Sequence, residues 1–96
     1  MKQVICIDDK YPPEASLFYI ERNINIPILH EFYTPRQIIR HTTGAIGLRF
    51  EELINDEVLI KHPILNEILY EPTWNINRFR NLDGSVINVN QLEKLL

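Results

Sequence analysis

The segment AIGLRFEEL has the most regular alternation of apolar and polar side chains in the chain. Ile46, Leu48 and Phe50 fall on one face of an extended strand there, and Arg49 falls on the opposite face. A period of two residues is typical of a β-strand that buries one face. The apolar phase shifts at Leu53, which predicts that the strand ends or carries a bulge just before that residue.

A second extended segment, ILHEFYTPRQIIRH (28–41), precedes this strand, and the residues TTG (42–44) between them have the composition of a turn. Residues 28–53 are therefore predicted to form a β-hairpin. Pro35 lies near the middle of the first arm, where a proline removes a backbone donor and favours a break, a bulge or an edge position.

The remaining segments have weaker patterns. Residues 4–7 form a β-branched apolar run that predicts a buried first strand. Residues 14–27 mix apolar and polar positions around prolines, and residues 17–20 are compatible with a strand or with one helical turn; we expect a long, partly extended loop. Residues 56–72 are ambiguous, and we expect at most a short helix there, beginning after His62-Pro63.

The C-terminal residues 86–96 resemble a short helix or a tail. Asn90 is the expected N-cap, because an asparagine side chain accepts a hydrogen bond from the first turn. Leu92, Leu95 and Leu96 would form the apolar edge of this helix.

The order of these elements is strand, long loop, hairpin, insertion, short strand and tight turn, which is the order of a small SH3-like barrel. The chain has 96 residues, the size of one domain, and is rich in Ile, Leu and Val, which favours strands. We therefore predict that residues 1–96 form one mainly β domain. The expected architecture is a five-stranded SH3-like barrel with a short helical insertion.

Charge and cysteine content narrow the classes of protein. Ten basic and 13 acidic residues give a net charge of -3, whereas a duplex-binding domain normally carries excess positive charge. The N-terminal apolar run is too short for a signal peptide, and no segment has the roughly 20 apolar residues that cross a bilayer. One cysteine allows no disulfide within the chain. A cytoplasmic protein that does not enter a membrane is the expectation.

The sequence carries no pattern that is typical of catalysis or metal binding. The spacings of the three histidines match no metal motif, and neither serine lies in a G-x-S-x-G elbow. Cys6 lies inside an apolar strand, where its thiol stays protonated and unreactive. We therefore expect no enzymatic activity, no catalytic residue, no metal and no cofactor.

The segment WNINRFRNLDG places aromatic residues among arginines. Phe79 and Trp74 are predicted to seal the core, with Arg78 and Arg80 flanking an anchored turn. If part of this segment is exposed, Trp74, Arg78, Arg80 and Arg49 are the candidate binding residues, since tryptophan and arginine are frequent anchors of protein interfaces. Small barrels also use aromatic faces to stack bases, so a nucleic-acid platform stays open.

The segments VICID, FYTPRQII, GLRFEELIN and RFRNL, in this order, resemble a family of small phage- and prophage-associated SH3-like barrel proteins. The resemblance covers roughly residues 2–82. The positions that carry it are Tyr33, Thr34, Arg36, Gly47, Leu48, Glu51, Glu52, Asn55, Arg78, Phe79 and Arg80. The family has no assigned biochemical activity, so the resemblance implies a fold and a phage or bacterial setting.

Three functions are compatible with these expectations. The first is a non-enzymatic accessory module that binds another protein. The second is a small barrel that binds nucleic acid, which the net negative charge disfavours. The third is a structural domain that associates with itself, because unpaired strand edges can recruit another copy.

Overall fold

The structure is a computed structural model, and it describes residues 2–96. Within this range the chain forms eight short strands in three antiparallel sheets, with two short α-helices. The strands are β1 (Val4–Cys6), β2 (Phe32–Tyr33), β3 (Pro35–Arg40), β4 (Ile46–Phe50), β5 (Val58–His62), β6 (Asn66–Tyr70), β7 (Trp74–Asn75) and β8 (Phe79–Asn81). The helices are α1 (Pro13–Glu21) and α2 (Val89–Glu93), and a single 3-10 turn covers Ile76–Arg78.

The predicted mainly β class is confirmed, but the strands number eight and do not close into a barrel. One sheet has the order β2-β1-β8 and another the order β3-β4-β7. Thr34 separates β2 from β3, and the 3-10 turn separates β7 from β8, so each of these extended segments passes from one sheet to the other. Joined across these bends, the segments follow the predicted barrel order. The third sheet, β5-β6, is inserted between β4 and β7.

The central hairpin agrees with the sequence pattern. Strands β3 and β4 pair along their length, and the register shifts between Pro35 and Gln37, as a bulge near the proline requires. Gly44 has a φ of 88°, a conformation that a glycine adopts without strain in the turn between them. Strand β4 ends at Phe50, just before the predicted change of phase.

The expectations for residues 14–27 and 56–72 are wrong. Helix α1 replaces most of the predicted loop, because Pro13 provides a fixed φ at the first helical position and Glu14 lies in its first turn. Residues 58–70 form a β-hairpin where we expected a short helix. Its turn covers residues 63–65, and Asn66, the first residue of β6, has a φ of 64°.

The predicted C-terminal helix is present as α2, although its cap differs. The side chain of Asn88 accepts a hydrogen bond from the backbone N–H of Gln91, so Asn88 and not Asn90 is the N-cap. Leu92 is buried in the core, whereas Leu95 and Leu96 remain about half exposed.

Aromatic side chains dominate the core, as predicted for Phe50, Phe79 and Trp74. The rings of Phe50 and Phe79 are both inaccessible to solvent, and their centroids lie 4.8 Å apart. Trp74 is 1% exposed and contacts Tyr19 of α1 at a centroid distance of 5.3 Å. Burying each such side chain contributes about 1.5–3 kcal/mol to the free energy of unfolding.

A buried amide fastens the irregular segment that follows α1. The Asn55 side chain accepts a hydrogen bond from the backbone N–H of Asn25 at 2.7 Å and donates one to its carbonyl at 2.9 Å. It therefore substitutes for a neighbouring strand, and satisfies backbone groups that would otherwise be buried without partners.

Candidate functional site: a groove between helix and hairpin

A groove with a volume of about 440 Å³ separates α1 from the β5-β6 hairpin. The end of β3 and the start of the β3-β4 turn also line it, as do Pro72 and Thr73. The apolar lining consists of Phe18, Tyr19, Val58, Ile60, Pro63, Ile68, Tyr70 and Pro72, and the polar lining of Arg40, His41, Thr42, His62 and Thr73. Binding sites for small molecules and side chains commonly have this volume and composition.

The alternation of side chains along β5 and β6 decides which residues face the groove. Val58 pairs with Tyr70 and Ile60 with Ile68, and all four of these line the groove. The residues between them, among them Leu59, point to the opposite face, because successive side chains in a strand alternate.

Arginine side chains anchor the base of this hairpin. The guanidinium of Arg49 donates from Nη2 to the backbone oxygen of Glu71 at 2.7 Å, and it lies 5.1 Å from the centre of the Tyr70 ring. Arg36 forms an ion pair with the Glu71 carboxylate and donates from Nε to the Phe50 carbonyl at 2.9 Å. These contacts join β6 to the central hairpin and hold one wall of the groove in place.

A small polar cluster lies in the groove beside the Tyr70 ring. The hydroxyls of Tyr70 and Thr73 are hydrogen-bonded at 2.9 Å, and the Thr73 hydroxyl lies 3.2 Å from Nε2 of His41. Gly47 of β4 makes room for it, since a Cβ at that position would lie 2.6 Å from the Thr73 oxygen. The two hydroxyls have four acceptor lone pairs between them, more than these contacts use, so they can also receive a ligand donor.

The polar side chains of the lining include one charged group, Arg40, and two imidazoles. Arg40, His41 and His62 line the groove, and no carboxylate does so within residues 2–96. Nδ1 of His62 accepts hydrogen bonds from the backbone N–H groups of Ile64 and Leu65, which places the proton of the neutral ring on Nε2. Arg40 forms an ion pair with Glu93, but its side chain is 55% exposed.

The residues predicted to bind a partner have internal roles in the structure. Trp74 lies in the core and offers no surface. Arg78 lies over the ring of Tyr11 at 4.0 Å, donates to the Lys10 carbonyl at 2.7 Å and forms an ion pair with Asp8.

Arg80 similarly donates to the carbonyls of Asn77 and Phe79, at 3.1 and 2.8 Å. Together with Arg49, each of these guanidinium groups is bound to a backbone carbonyl of the chain itself. The structure therefore does not bring these residues together as one exposed patch.

Other potentially reactive groups lie outside the groove. Cys6 is buried in β1, and burial raises the pKa of its thiol, which keeps the thiol protonated at neutral pH. Between residues 2 and 96, no cluster of three or more His, Cys, Asp or Glu side chains is arranged to hold a metal ion. None of the helices in the same range has the length and apolarity to cross a membrane.

The sequence did not predict the groove, because we expected a loop in place of α1 and at most a short helix in place of the β5-β6 hairpin. The pattern that could have revealed it is the matched spacing of Val58 and Ile60 before Pro63 and of Ile68 and Tyr70 after it. Comparison of the chain with protein-family models, with curated proteins and with solved structures found no match.

Proposed function

We propose that this protein is a non-enzymatic binding module whose groove receives an apolar side chain from a segment of another protein, beside an acidic residue of that segment. The observation that carries the proposal is the groove itself, with apolar walls, a small polar cluster and the positively charged Arg40 in its lining. As part of the same proposal, the module works in the cytoplasm of a bacterium or in association with its phage.

The size of the groove supports an occupant of one or two side chains. An aromatic side chain buries roughly 150–250 Å², which at ~25 cal/mol/Å² contributes about 4–6 kcal/mol before the costs of association. Those costs take a large part of this energy, so we expect dissociation constants from roughly micromolar to millimolar for a short peptide.

The charges of the lining support an acidic neighbour in the partner segment. Arg40, which a partner carboxylate would share with Glu93, and the Nε2–H of His62 offer donors, and the lining that the structure describes contains no acidic side chain. The chain as a whole has a net charge of -3, whereas the one charged side chain in the lining, Arg40, is positive. Complementary charge of this kind favours the correct partner and its orientation more than it raises affinity.

Selection from a displayed library of random peptides tests the proposal. We expect enriched peptides to share a large apolar residue next to Asp or Glu, and to bind at the groove in NMR shift mapping. Ile68→Glu places a carboxylate in the groove and is expected to weaken binding by about tenfold or more. Val86→Glu is the matched control, because Val86 is 73% exposed and does not line the groove.

Two results would contradict the proposal. One is a selection from which no peptide is enriched above background. The other is an enriched peptide that binds the Ile68→Glu and Val86→Glu variants equally well. Ile60→Ala, a milder change to the same wall, keeps the test valid if Ile68→Glu fails to fold.

A further inference from the structure

One face of the β5-β6 hairpin points away from the groove and is called the outer face here. It exposes apolar side chains to solvent. Leu59 is 55% exposed and Leu69 62% exposed, and the two are paired across the strands. At the tip of the hairpin, Ile64 and Leu65 are 82% and 63% exposed. The sheet has only these two strands, and a two-stranded hairpin is marginally stable in water without further packing.

The same face carries one positive and one negative side chain. Lys61 pairs with Glu67 in the strand register, two residues beyond the leucines on each strand. Both side chains are exposed, and they form no ion pair with each other in the part of the chain that the structure describes. The face thus has a leucine and a charge on each strand, and the two charges are opposite.

We propose that this outer face binds the same face of a second copy of the chain, forming a homodimer with its two-fold axis parallel to the strands. Such an axis exchanges the two strands of the hairpin. Leu59 then meets Leu69 of the second copy, and Lys61 meets Glu67 of the second copy, with both contacts repeated by symmetry. A two-fold interface requires a surface that complements itself, and this arrangement of charges provides one.

The position nearest the base of the hairpin does not oppose this arrangement strongly. If the strand register is extended by one residue at the base of the hairpin, Glu57 of one copy lies towards Glu71 of the second copy. The carboxylate of Glu71 is already paired with Arg36 and Arg49 in its own chain, which reduces the repulsion. Twisted sheets also diverge at their ends when they pack face to face.

The dimer is expected to be weak. A single hairpin face is much smaller than the roughly 800 Å² per partner of a standard interface, so we expect dissociation constants on the order of tens to hundreds of micromolar. The groove lies on the other face of the hairpin and stays open, so the dimer neither needs nor blocks the proposed binding of a protein segment.

Charge exchange tested by analytical ultracentrifugation can identify this interface. For the wild-type protein, dimer is expected to be detectable as the protein concentration is raised towards about 1 mM. Lys61→Glu alone and Glu67→Lys alone each place like charges opposite each other, so each variant should be monomeric. An equimolar mixture of the two should form heterodimers. One variant then carries only acidic side chains at these two positions and the other only basic ones, so opposite charges face each other in both contacts between the chains.

The mixture separates contacts between chains from effects within one hairpin. Each variant chain keeps its own like-charged pair in the mixture, so recovery of dimer can come only from contacts between the two chains. Leu59→Ser should also abolish the dimer, whereas Leu17→Ser should not, although both leucines are 55% exposed.

A wild-type protein that stays monomeric up to about 1 mM would overturn the proposal. So would a mixture that remains monomeric, or a dimer that both single charge variants retain. The last result would show that another surface holds the two copies together.

Discussion

Replacement of Gly47 by alanine tests how the groove is built. Gly47 is buried in β4, with a φ outside the left-handed region, so its backbone accepts any residue. The added Cβ would lie 2.6 Å from the Thr73 hydroxyl oxygen, 2.7 Å from the Thr73 Cβ and 3.0 Å from Nε2 of His41. Heavy atoms do not approach so closely, so Thr73 or the strand has to move.

The loss of stability depends on whether the strand stays overpacked or the Thr73 side chain rotates away. Overpacking in a well-packed region costs about 1–3 kcal/mol. If Thr73 rotates away instead, its hydrogen bonds to Tyr70 and His41 are lost, at about 0.5–1.5 kcal/mol each. Either route lowers the free energy of unfolding by about 1–3 kcal/mol. For a domain of this size, each 1 kcal/mol lowers the melting temperature by about 4–8 °C.

Urea unfolding followed by tryptophan fluorescence measures this loss directly, because Trp74 is the only tryptophan and lies in the core. A double-mutant cycle with Thr73→Gly then tests the cause, since that change removes both Thr73 atoms that the new methyl would meet. We expect a favourable coupling of about 1–2 kcal/mol between the two substitutions.

Gly44→Ala provides the contrast for this experiment. A Cβ at Gly44 meets nothing within 4 Å, but the φ of 88° makes alanine strained there. Its destabilisation should therefore be unaffected by Thr73→Gly. The reasoning is refuted if Gly47→Ala is as stable as the wild type, or if Thr73→Gly rescues Gly44→Ala and Gly47→Ala equally.

Two further predictions concern the core and the acid side of the stability profile. Phe79→Ala should lower the free energy of unfolding in urea by about 3–5 kcal/mol, because the ring is completely buried. Phe32→Ala, at a ring that is 53% exposed, should lower it by at most about 1 kcal/mol. Equal losses would show that the core is misplaced. Burial alone would raise the pKa of Glu52, but hydrogen bonds from the backbone N–H and hydroxyl of Thr34 outweigh it and hold the pKa below the ordinary 4.5. The folded-state pKa is thus the lower one, so this stabilisation is present above pH 4.5 and is lost as the pH falls through the folded-state pKa. Glu52→Gln should therefore be less stable than the wild type at about pH 7, and the gap between them should narrow as the pH falls below 4.5. Glu51→Gln, at the neighbouring position, is the control and should show no such narrowing. A gap for Glu52→Gln that stays constant from neutral pH into acid would contradict this account.

The sequence was most informative where a strand alternates against the core. Residues 46–50 repeat with a period of two and end at the predicted position, and the burial of Phe79 and Trp74 follows the prediction. In these segments local preference and tertiary packing favour the same conformation, so the pattern alone is sufficient.

The two missed elements lack such agreement. Leu17 to Ile20 are consecutive apolar residues, so α1 shows no apolar stripe, and none of its side chains is fully buried. In β5 and β6 apolar residues occupy both faces, which hides the alternation, and Pro63 indicated a break without showing that the chain turns back on itself. The spacing of apolar residues around Pro63 could have indicated the hairpin and its inner face, but that this face lies against α1 follows only from the tertiary structure.

The central place of β1 in its sheet has a consequence for the order in which the molecule assembles. Val4 to Cys6 need partners from both β2 and β8, and the latter lies near the other end of the chain. During synthesis β1 can therefore pair only with β2 until Phe79 to Asn81 have left the ribosome. Contacts between such distant segments slow folding. This sheet is thus completed only once β8 is available, and until then the apolar side chains of β1 are open to chaperones.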